Sequence, residues 1–333
     1  MSPNLAHTTL AFSLAALAAA TTAHAQPRTV AIDGSSTVFP VMEAVAEEFQ
    51  KSTRGQVRVT VGISGTGGGF KKFCRGETDI SNGSRPILKE ELEACKKADI
   101  AFYELPIAFD ALTVAVSPRN QLECVKVSEL KAMWEPSAQG KVRRWKDVNP
   151  EWPDQPLVLF GAGADSGTFD YFTEAIVGRA KSSRGDYTAS EDDNVLVKGI
   201  EGSPNALGYF GFAYYAANPK AMKALAVDWG KGQGCVRPTL ENVLAGTYNP
   251  LSRPLFVYIS EKAAAKPEVQ QLVEFVITKG PALIREVKYL PLPDSAYATA
   301  RERFAKREAG SAFGGVPEVG LHIDEILKKK PAM

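Results

Sequence analysis

The stretch DGSSTVFP at residues 33–40 lies between a short apolar run, Val30–Ile32, and an amphipathic segment that predicts a helix from about Pro40 to Ser52. A turn and a helix N-cap explain one hydroxyl, since one capping side chain satisfies one free amide at a helix start. Three consecutive hydroxyls indicate a second role, in which side-chain oxygens and the first amides of the helix hold an anion. A single copy of the pattern leaves both interpretations open.

Strand and helix signals alternate along the chain that follows. Val57–Val61 alternates apolar and polar residues, and further strands are predicted at Asp79-Ile80 and over Ile100–Leu105. This rhythm is typical of an α/β fold, in which helices cover both faces of a parallel sheet. Ligands of such sheets bind at the carboxyl ends of the strands, against the starts of helices.

Two apolar runs, Ala111–Val116 and Arg253–Ile259, stand on either side of a further strand signal at Leu157–Phe160. We interpret the two runs as crossover strands that join two α/β lobes. The predicted boundaries are 26–112 with 254–320 for a discontinuous lobe 1, 113–253 for lobe 2, and 321–333 for a C-terminal tail. A cleft between two such lobes is a common site for a small ligand.

The first 25 residues are set apart by their composition. Leu10–Ala20 is almost entirely apolar, and Ala23-His24-Ala25 is a small-residue cleavage pattern, so we predict a secretory signal peptide with cleavage after Ala25 and a periplasmic protein. The four cysteines of the chain follow this segment, and an even number in an exported protein favours disulfides. Three pairings are open, of which we favour Cys74–Cys95 with Cys124–Cys235.

Three more loops resemble the opening stretch: ISGTGGG at 63–69, SNGSRP at 81–86 and DSGT at 165–168. Each follows a strand signal, and two of them open helices. Glycine allows the backbone to approach a ligand closely, and loop amides form anion-binding concavities. Arg85 is the basic residue within these loops, and its guanidinium suits a tetrahedral oxyanion. Asp165 is either a helix N-cap or a proton acceptor for the ligand.

The sequence argues against several other functions. A formal net charge of +1 gives no basic excess for nucleic acid. None of the loops fits the G-x-x-x-x-G-K-[ST] or G-x-G-x-x-G motif. A hydrolase based on Ser166 lacks the G-x-S-x-G frame, and after cleavage its base would have to be His322. We therefore expect a binding protein without enzymatic activity, metal site or cofactor.

Taken in this order, the four loops closely resemble the periplasmic phosphate-binding proteins of phosphate-specific ABC importers, in their PstS/SphX-like form. The segment EDDNVLVKGIEGSPNALGYFGFAYY at 191–215 is similar to the same family, and the resemblance covers most of residues 29–310. It implies the type II periplasmic binding protein fold, with two lobes that close on one phosphate. It also implies a monomer that delivers phosphate to the permease subunits of an importer.

The resemblance also implies which residues contact the ligand. The first loop would supply the Ser36 and Thr37 hydroxyls and the amide of Val38 or Phe39, and the fourth would supply Ser166, Gly167 and Thr168. The second loop would supply either the Ser64 or the Thr66 hydroxyl, with Gly65 allowing close approach. The complete predicted set is Ser36, Thr37, Val38, Ser64, Gly65, Thr66, Ser84, Arg85, Asp165, Ser166, Gly167 and Thr168.

The sequence departs from the family pattern at two places. The best-known members carry, at the position of Ser84, an aspartate that accepts a proton from phosphate and repels sulfate. They also carry an arginine shortly before S-G-T, where this chain has Gly161–Ala164. Arg85 would replace that positive charge, and Asp165 is the candidate acceptor. Sulfate, molybdate or tungstate therefore stay open as alternative ligands.

Overall fold

The computed structural model describes residues 27–316, 318–320, 325 and 328–332. The predicted signal peptide and His322 lie outside the described residues. The β-strands are β1 (Arg28–Gly34), β2 (Val57–Val61), β3 (Ile80–Gly83), β4 (Phe102–Val116), β5 (Cys124–Lys126), β6 (Val158–Ala162), β7 (Thr188–Ser190), β8 (Ala206–Gly211), β9 (Lys223–Ala224), β10 (Ala226–Asp228), β11 (Cys235–Val236), β12 (Ser252–Ser260) and β13 (Leu290–Pro291).

Helices alternate with these strands. They are α1 (Phe39–Ser52), α2 (Gly65–Phe73), α3 (Lys89–Lys97), α4 (Val127–Trp134), α5 (Trp145–Val148), α6 (Gly167–Phe172), α7 (Asp193–Gly202), α8 (Phe212–Ala217), α9 (Leu240–Leu244), α10 (Glu261–Ala264), α11 (Pro267–Thr278), α12 (Gly280–Glu286) and α13 (Asp294–Ala305). A 3₁₀ turn covers Pro136–Ala138, and a π-helical turn, Thr173–Val177, continues α6. None of the helices in the described part of the chain is long and apolar enough to cross a membrane.

The main sheet has the strand order β2-β1-β3-β12-β4-β8-β6-β7. We call β2, β1, β3, β12 and residues 102–111 of β4 the first half of the sheet, and residues 112–116 of β4 with β8, β6 and β7 the second half. Within each half the outer strands pair in parallel, as the alternation of strands and helices predicts. The β12 strand runs antiparallel to both β3 and β4, and β4 runs antiparallel to β8, so the sheet is mixed.

The β4 strand corrects one prediction. The apolar runs at 100–105 and 111–116 were expected to form separate strands, but β4 runs without interruption from Phe102 to Val116 and is buried along its whole length. Pro106 lies within it and faces Phe256 at an irregularity in the register, next to Leu255. A bulge of this kind allows a proline, which has no N–H, to lie inside a sheet.

The opening stretch of the sequence joins a strand to a helix, as predicted. Asp33 and Gly34 end β1, and Pro40 lies at the first turn of α1, where its missing N–H costs nothing. The buried side of α1 has the spacing of a helix packed on a sheet, and its members are Val41, Met42, Val45, Ala46 and Phe49. The loop between β1 and α1, residues 35–38, is thereby held at the carboxyl end of β1.

Both favoured disulfides are present in the structure. Cys74–Cys95 joins the end of α2 to α3 in the region of the first half of the sheet. Cys124–Cys235 joins β5 to β11 within the small second sheet, whose order is β11-β10-β5. No described cysteine is free.

Candidate anion-binding site

The four hydroxyl- and glycine-rich loops converge where the two halves of the sheet meet. Thr37, from the first loop, has its Oγ1 3.0 Å from Oγ1 of Thr168, at the start of α6 in the other half. The amide of Gly67 donates to the carbonyl of Asp165 across the same boundary at 2.7 Å. Loops that are far apart in sequence therefore form one polar cluster.

The second and third loops contribute Thr66 and Ser84. Their hydroxyl oxygens are 3.1 Å apart, and the amide of Ser84 donates to Oγ1 of Thr66 at 3.1 Å. Gly167 of α6 lies directly against them, because a Cβ at that position would stand 2.4 Å from Oγ1 of Thr66 and 2.6 Å from Oγ of Ser84. A glycine is therefore required for the loops of the two halves to approach this closely.

Arg253 enters this cluster from β12, and reasoning from the sequence missed it. Its Nη2 donates to Oγ1 of Thr37 at 3.0 Å and to Oγ1 of Thr168 at 2.9 Å. Nε and Nη2 both donate to Oδ2 of Asp110 on β4, while Nη1 has no hydrogen-bond partner among the described residues. Arg253 and Asp110 are both buried, and burial raises the pKa of Asp110 against the opposing charge of Arg253.

Arg85, the arginine that the sequence singled out, is committed to two carboxylates. Its Nε donates to Oδ2 of Asp170 on α6 at 2.6 Å, and Nη1 and Nη2 form a bidentate pair with Glu91 at 2.8 Å each. Nη1 also donates to the carbonyl of Pro86. Burial lowers the pKa of Arg85, but Glu91 and Asp170 outweigh it and raise the pKa above its ordinary value. Arg85 thus links the two halves of the sheet beside the hydroxyl cluster.

The remaining residues of the first loop surround its turn. Ser36 is buried, and its hydroxyl lies 3.5 Å from Oδ1 of Asp193, the first residue of α7. The amide of Val38 donates to Oγ of Ser35 at 3.4 Å. The carbonyls of Ser36 and Thr37 accept the phenol hydroxyls of Tyr214 and Tyr289, respectively. The contacts with Asp193 and Tyr214 join the loop to helices of the second half of the sheet, and Tyr289 holds it from the segment before β13.

Ser64 and Asp165 lie at the rim of the cluster and are engaged elsewhere. The Ser64 hydroxyl donates to the carboxylate of Asp33, and Asp165 forms an exposed ion pair with Lys71 at 2.5 Å. Gly65 has φ +75°, and a Cβ there would meet the carbonyl of Asp165 at 2.4 Å. Of the two hydroxyls left open for the second loop, Thr66 is the buried one.

Ser166 is the N-cap of α6. It is buried, and its Oγ accepts from the amide of Thr168 at 3.1 Å. A capping oxygen in this position satisfies one amide of the first turn. The hydroxyl thus shapes the loop, and it makes no hydrogen bond to a base among the described residues.

The chemistry of the cluster would suit a small anion. Four fully buried hydroxyl side chains surround it, those of Thr37, Thr66, Ser84 and Thr168. A buried guanidinium adds positive charge, and amides at helix starts add partial positive charge. No histidine occurs among the residues that the structure describes, and within them no group of His, Cys, Asp or Glu could hold a metal ion.

Comparisons with known proteins identify the class. Residues 20–279 match the family model described as a PBP superfamily domain. Protein SphX of Synechococcus elongatus is 50% identical over 92% of this chain and 90% of its own length. The phosphate-binding protein PstS of Staphylococcus saprophyticus is 35% identical over 81% of this chain and 82% of its own length.

A solved structure agrees with these relatives. It is a Clostridium perfringens protein with bound phosphate, named a phosphate ABC transporter substrate-binding protein, and it is 26% identical with a TM-score of 0.68. The match covers 80% of this chain and 100% of the Clostridium perfringens chain. The chain therefore belongs to the PBP superfamily and, within it, to the family of SphX and PstS proteins, and its fold is the type II fold of that class. The predicted family is confirmed.

Proposed function

We propose that this protein binds inorganic phosphate and delivers it to the permease of an ABC importer. The observation that carries the proposal is the cluster of buried hydroxyls from both halves of the sheet around Arg253, whose Nη1 has no partner among the described residues. A buried guanidinium with an uncommitted donor calls for an acceptor from a ligand. Hydroxyls and amides then replace the water that surrounds a small oxyanion.

The relatives support phosphate over other oxyanions. One is named a phosphate-binding protein, and the structural relative with bound phosphate is the Clostridium perfringens protein. Residues Thr37, Thr66, Ser84, Gly167, Thr168 and Arg253 form the inner site in this proposal. Ser36, Val38, Gly65 and Ser166 shape it, whereas Ser64, Arg85 and Asp165 act at its border. Sulfate, molybdate and tungstate are the alternatives that the experiment below separates.

The two halves of the sheet would belong to two lobes, with boundaries near 26–112 plus 254–320 and 113–253. The contacts between Thr37 and Thr168, and between Arg85 and Asp170, would then be contacts of a closed form. A ligand that touches both lobes stabilises closure, because only the closed form makes all of its contacts. Small-angle scattering tests this step: the radius of gyration should fall when phosphate is added.

Binding without chemistry is part of the proposal. Ser166 Oγ accepts from Thr168 and lies next to no histidine among the described residues. A serine hydrolase needs a base in hydrogen-bond contact with the nucleophile. We expect no turnover of p-nitrophenyl phosphate, and turnover that is lost in Ser166→Ala would contradict this part of the proposal.

Export and a monomeric state complete the proposed role. Residues 1–25 would be removed as a signal peptide, and the mature protein would act in the periplasm as a monomer beside its permease. Expression of the full chain in a Gram-negative host, followed by N-terminal sequencing of the periplasmic fraction, should give a protein that begins at Gln26. A chain that keeps Met1 in the cytoplasm would overturn this part.

Calorimetric titration of the mature protein with phosphate, sulfate and molybdate tests the ligand. We expect one phosphate per chain and much weaker binding of the other two anions. Thr168→Val should abolish or greatly weaken binding, whereas Ser64→Ala, which removes a hydroxyl held by Asp33, should leave it nearly unchanged. Preferred binding of sulfate or molybdate would change the assigned ligand, and no binding of any of the three would overturn the site.

A further inference from the structure

Asp193 is a buried carboxylate beside the cluster that the sequence did not single out. It is the first residue of α7 and is fully inaccessible to solvent. Oδ1 lies 3.5 Å from the hydroxyl of Ser36, and Oδ2 has no hydrogen-bond partner among the described residues. A buried carboxylate oxygen without a donor is costly, and it needs an explanation in a folded protein.

The surroundings of Asp193 place it at the anion site. The amide of Gly211 faces the Asp193 carboxylate and stabilises its charge. A Cβ on Gly211 would in turn stand 3.0 Å from the methyl of Thr37 and 3.4 Å from Oδ2 of Asp110. The positive charge of Arg253 lowers the pKa of Asp193. Through Ser36 and Gly211, Asp193 therefore lies near Thr37 and Asp110, two of the residues that hold Arg253.

Two of the buried polar atoms without partners among the described residues are a donor, Nη1 of Arg253, and an acceptor, Oδ2 of Asp193. A fully ionised oxyanion can only accept hydrogen bonds, so it satisfies the first atom and repels the second. A protonated oxyanion satisfies both, because one oxygen accepts from the guanidinium and its O–H group donates to the carboxylate. The pattern matches hydrogen phosphate and does not match sulfate.

We propose that Asp193 is the residue that recognises the proton on the ligand and so separates phosphate from fully ionised oxyanions. The inference rests on the proposed function and deepens it. It places the acceptor on α7, which packs against the second half of the sheet, whereas Ser84 follows β3 in the first half. Ser84 cannot do this work alone, because its hydroxyl can donate to any oxyanion. Asp193 also takes the place of Asp165 as the candidate proton acceptor, because Asp165 is exposed and paired with Lys71.

A single proton between Asp193 and the ligand makes selectivity depend on pH. Burial raises the pKa of Asp193 to about 7, and Arg253 opposes this rise. Above that pH the carboxylate is ionised, and the ligand must bring the proton. Below it Asp193 carries the proton itself and can donate to a fully ionised anion. Sulfate should therefore bind better at pH 6 than at pH 8.

Other groups around Asp193 must be separated from this effect. The titratable and charged ones are Arg253 on β12, Asp110 on β4, Asp192 beside it, Tyr209 on β8, Tyr214 on α8 and Tyr289 before β13. Burial raises the pKa of the three phenols, so they stay protonated between pH 6 and 8. Asp110 is also buried, and only a variant of Asp193 distinguishes the two carboxylates.

The test is calorimetric titration of the mature protein and its Asp193→Asn variant with phosphate and with sulfate, at pH 6 and pH 8. In the variant, the phosphate-to-sulfate affinity ratio at pH 8 should fall by about tenfold or more, because a charge-assisted hydrogen bond is lost and a repulsion is removed. The dependence of sulfate binding on pH should disappear as well. Asp165→Asn is the matched control, and it should keep both the ratio and the dependence on pH.

The outcomes separate the inference from the proposed function. If the unmodified protein binds phosphate and Asp193→Asn keeps the same ratio, Asp193 is not the acceptor although the carrier function stands. If the pH dependence of sulfate binding persists in Asp193→Asn, it belongs to another group, such as Asp110 or Asp170, and the inference is wrong. If the unmodified protein binds no phosphate, the proposed function itself fails. If Asp193→Asn does not fold, sulfate binding by the unmodified protein decides, and equal affinity at both pH values would overturn the inference.

Discussion

The two buried arginines of the cluster, Arg85 and Arg253, differ in what their donors do. Arg85 has Nε and both terminal nitrogens engaged by Asp170, Glu91 and a carbonyl, so two carboxylates face one guanidinium. Arg253 has one carboxylate, that of Asp110, and keeps Nη1 without a partner among the described residues. Both side chains are fully buried, so the two arginines differ in how many of their nitrogens have a hydrogen-bond partner and not in their exposure to solvent.

In the proposed site, that difference separates a structural role for Arg85 from a ligand-binding role for Arg253. A buried ion pair adds little net stability, but removing one partner strands the other charge and is strongly destabilising. Arg85 and its partners on α3 and α6 therefore hold the halves of the sheet together. Arg253 is held by Asp110 on the neighbouring strand, and its Nη1, which has no partner in the described part of the chain, would be available to an anion.

The largest effect is expected at Arg253. In Arg253→Met combined with Asp110→Asn, which leaves no stranded charge, phosphate affinity should fall by about a hundred- to a thousandfold because a desolvated charge pair with the ligand is lost. Calorimetry measures the affinity, and thermal unfolding checks that the variant is folded. A folded double variant that binds phosphate like the unmodified protein would place the ligand away from Arg253.

Arg85 should affect stability more than binding. Arg85→Met leaves the carboxylates of Asp170 and Glu91 without their partner, and the free energy of unfolding should fall by about 3–5 kcal/mol. Adding Asp170→Asn should recover part of this loss. Denaturant unfolding without phosphate gives the values. An unchanged stability with complete loss of phosphate binding would show that Arg85 contacts the ligand, as the sequence predicted.

Gly167 should show a smaller effect, confined to binding. The Cβ of Gly167→Ala would overlap the hydroxyls of Thr66 and Ser84, so the loops would have to separate by about an ångström and phosphate affinity should fall by about tenfold or more. Gly202→Ala, at the end of α7, is the control, since a Cβ there meets nothing within 4 Å. Equal affinities for the two variants, measured by calorimetry, would mean that the loops need not approach closely.

The same arginines show what the sequence could predict. The loops and the order of strands and helices follow from local patterns, because turns, caps and alternation each depend on a few neighbouring residues. The disulfide pairing was one of three that the sequence left open. Arg85 drew attention because it lies in a glycine-rich loop, but its partner Asp170 is 85 residues away in the chain and has no local signal.

Arg253 was missed for the opposite reason. It lies within RPLFVYI, a run that predicts a buried strand, and its charge was the only sign that this strand passes a polar site. A charged residue inside a strand that is otherwise apolar is rarely buried without a partner. That signal indicates a buried pair, but the identity of Asp110 as its partner depends on the pairing of β4 with β12. The continuity of β4 through Pro106 also depends on its pairing with β12, so the sequence around Pro106 did not reveal it.

Asp165 should give the smallest effect, because its ion pair with Lys71 is exposed. The Asp165 and Lys71 side chains are 44% and 61% exposed, and ion pairs of this kind contribute about 0.2–1 kcal/mol. Asp165→Asn should therefore weaken phosphate binding by less than about fivefold, and the difference should shrink further in high salt. Calorimetry at two salt concentrations measures both effects. A loss above about tenfold that salt does not change would mean that Asp165 contacts the ligand directly, and the contrast between buried and exposed links across the two halves of the sheet would then have to be abandoned.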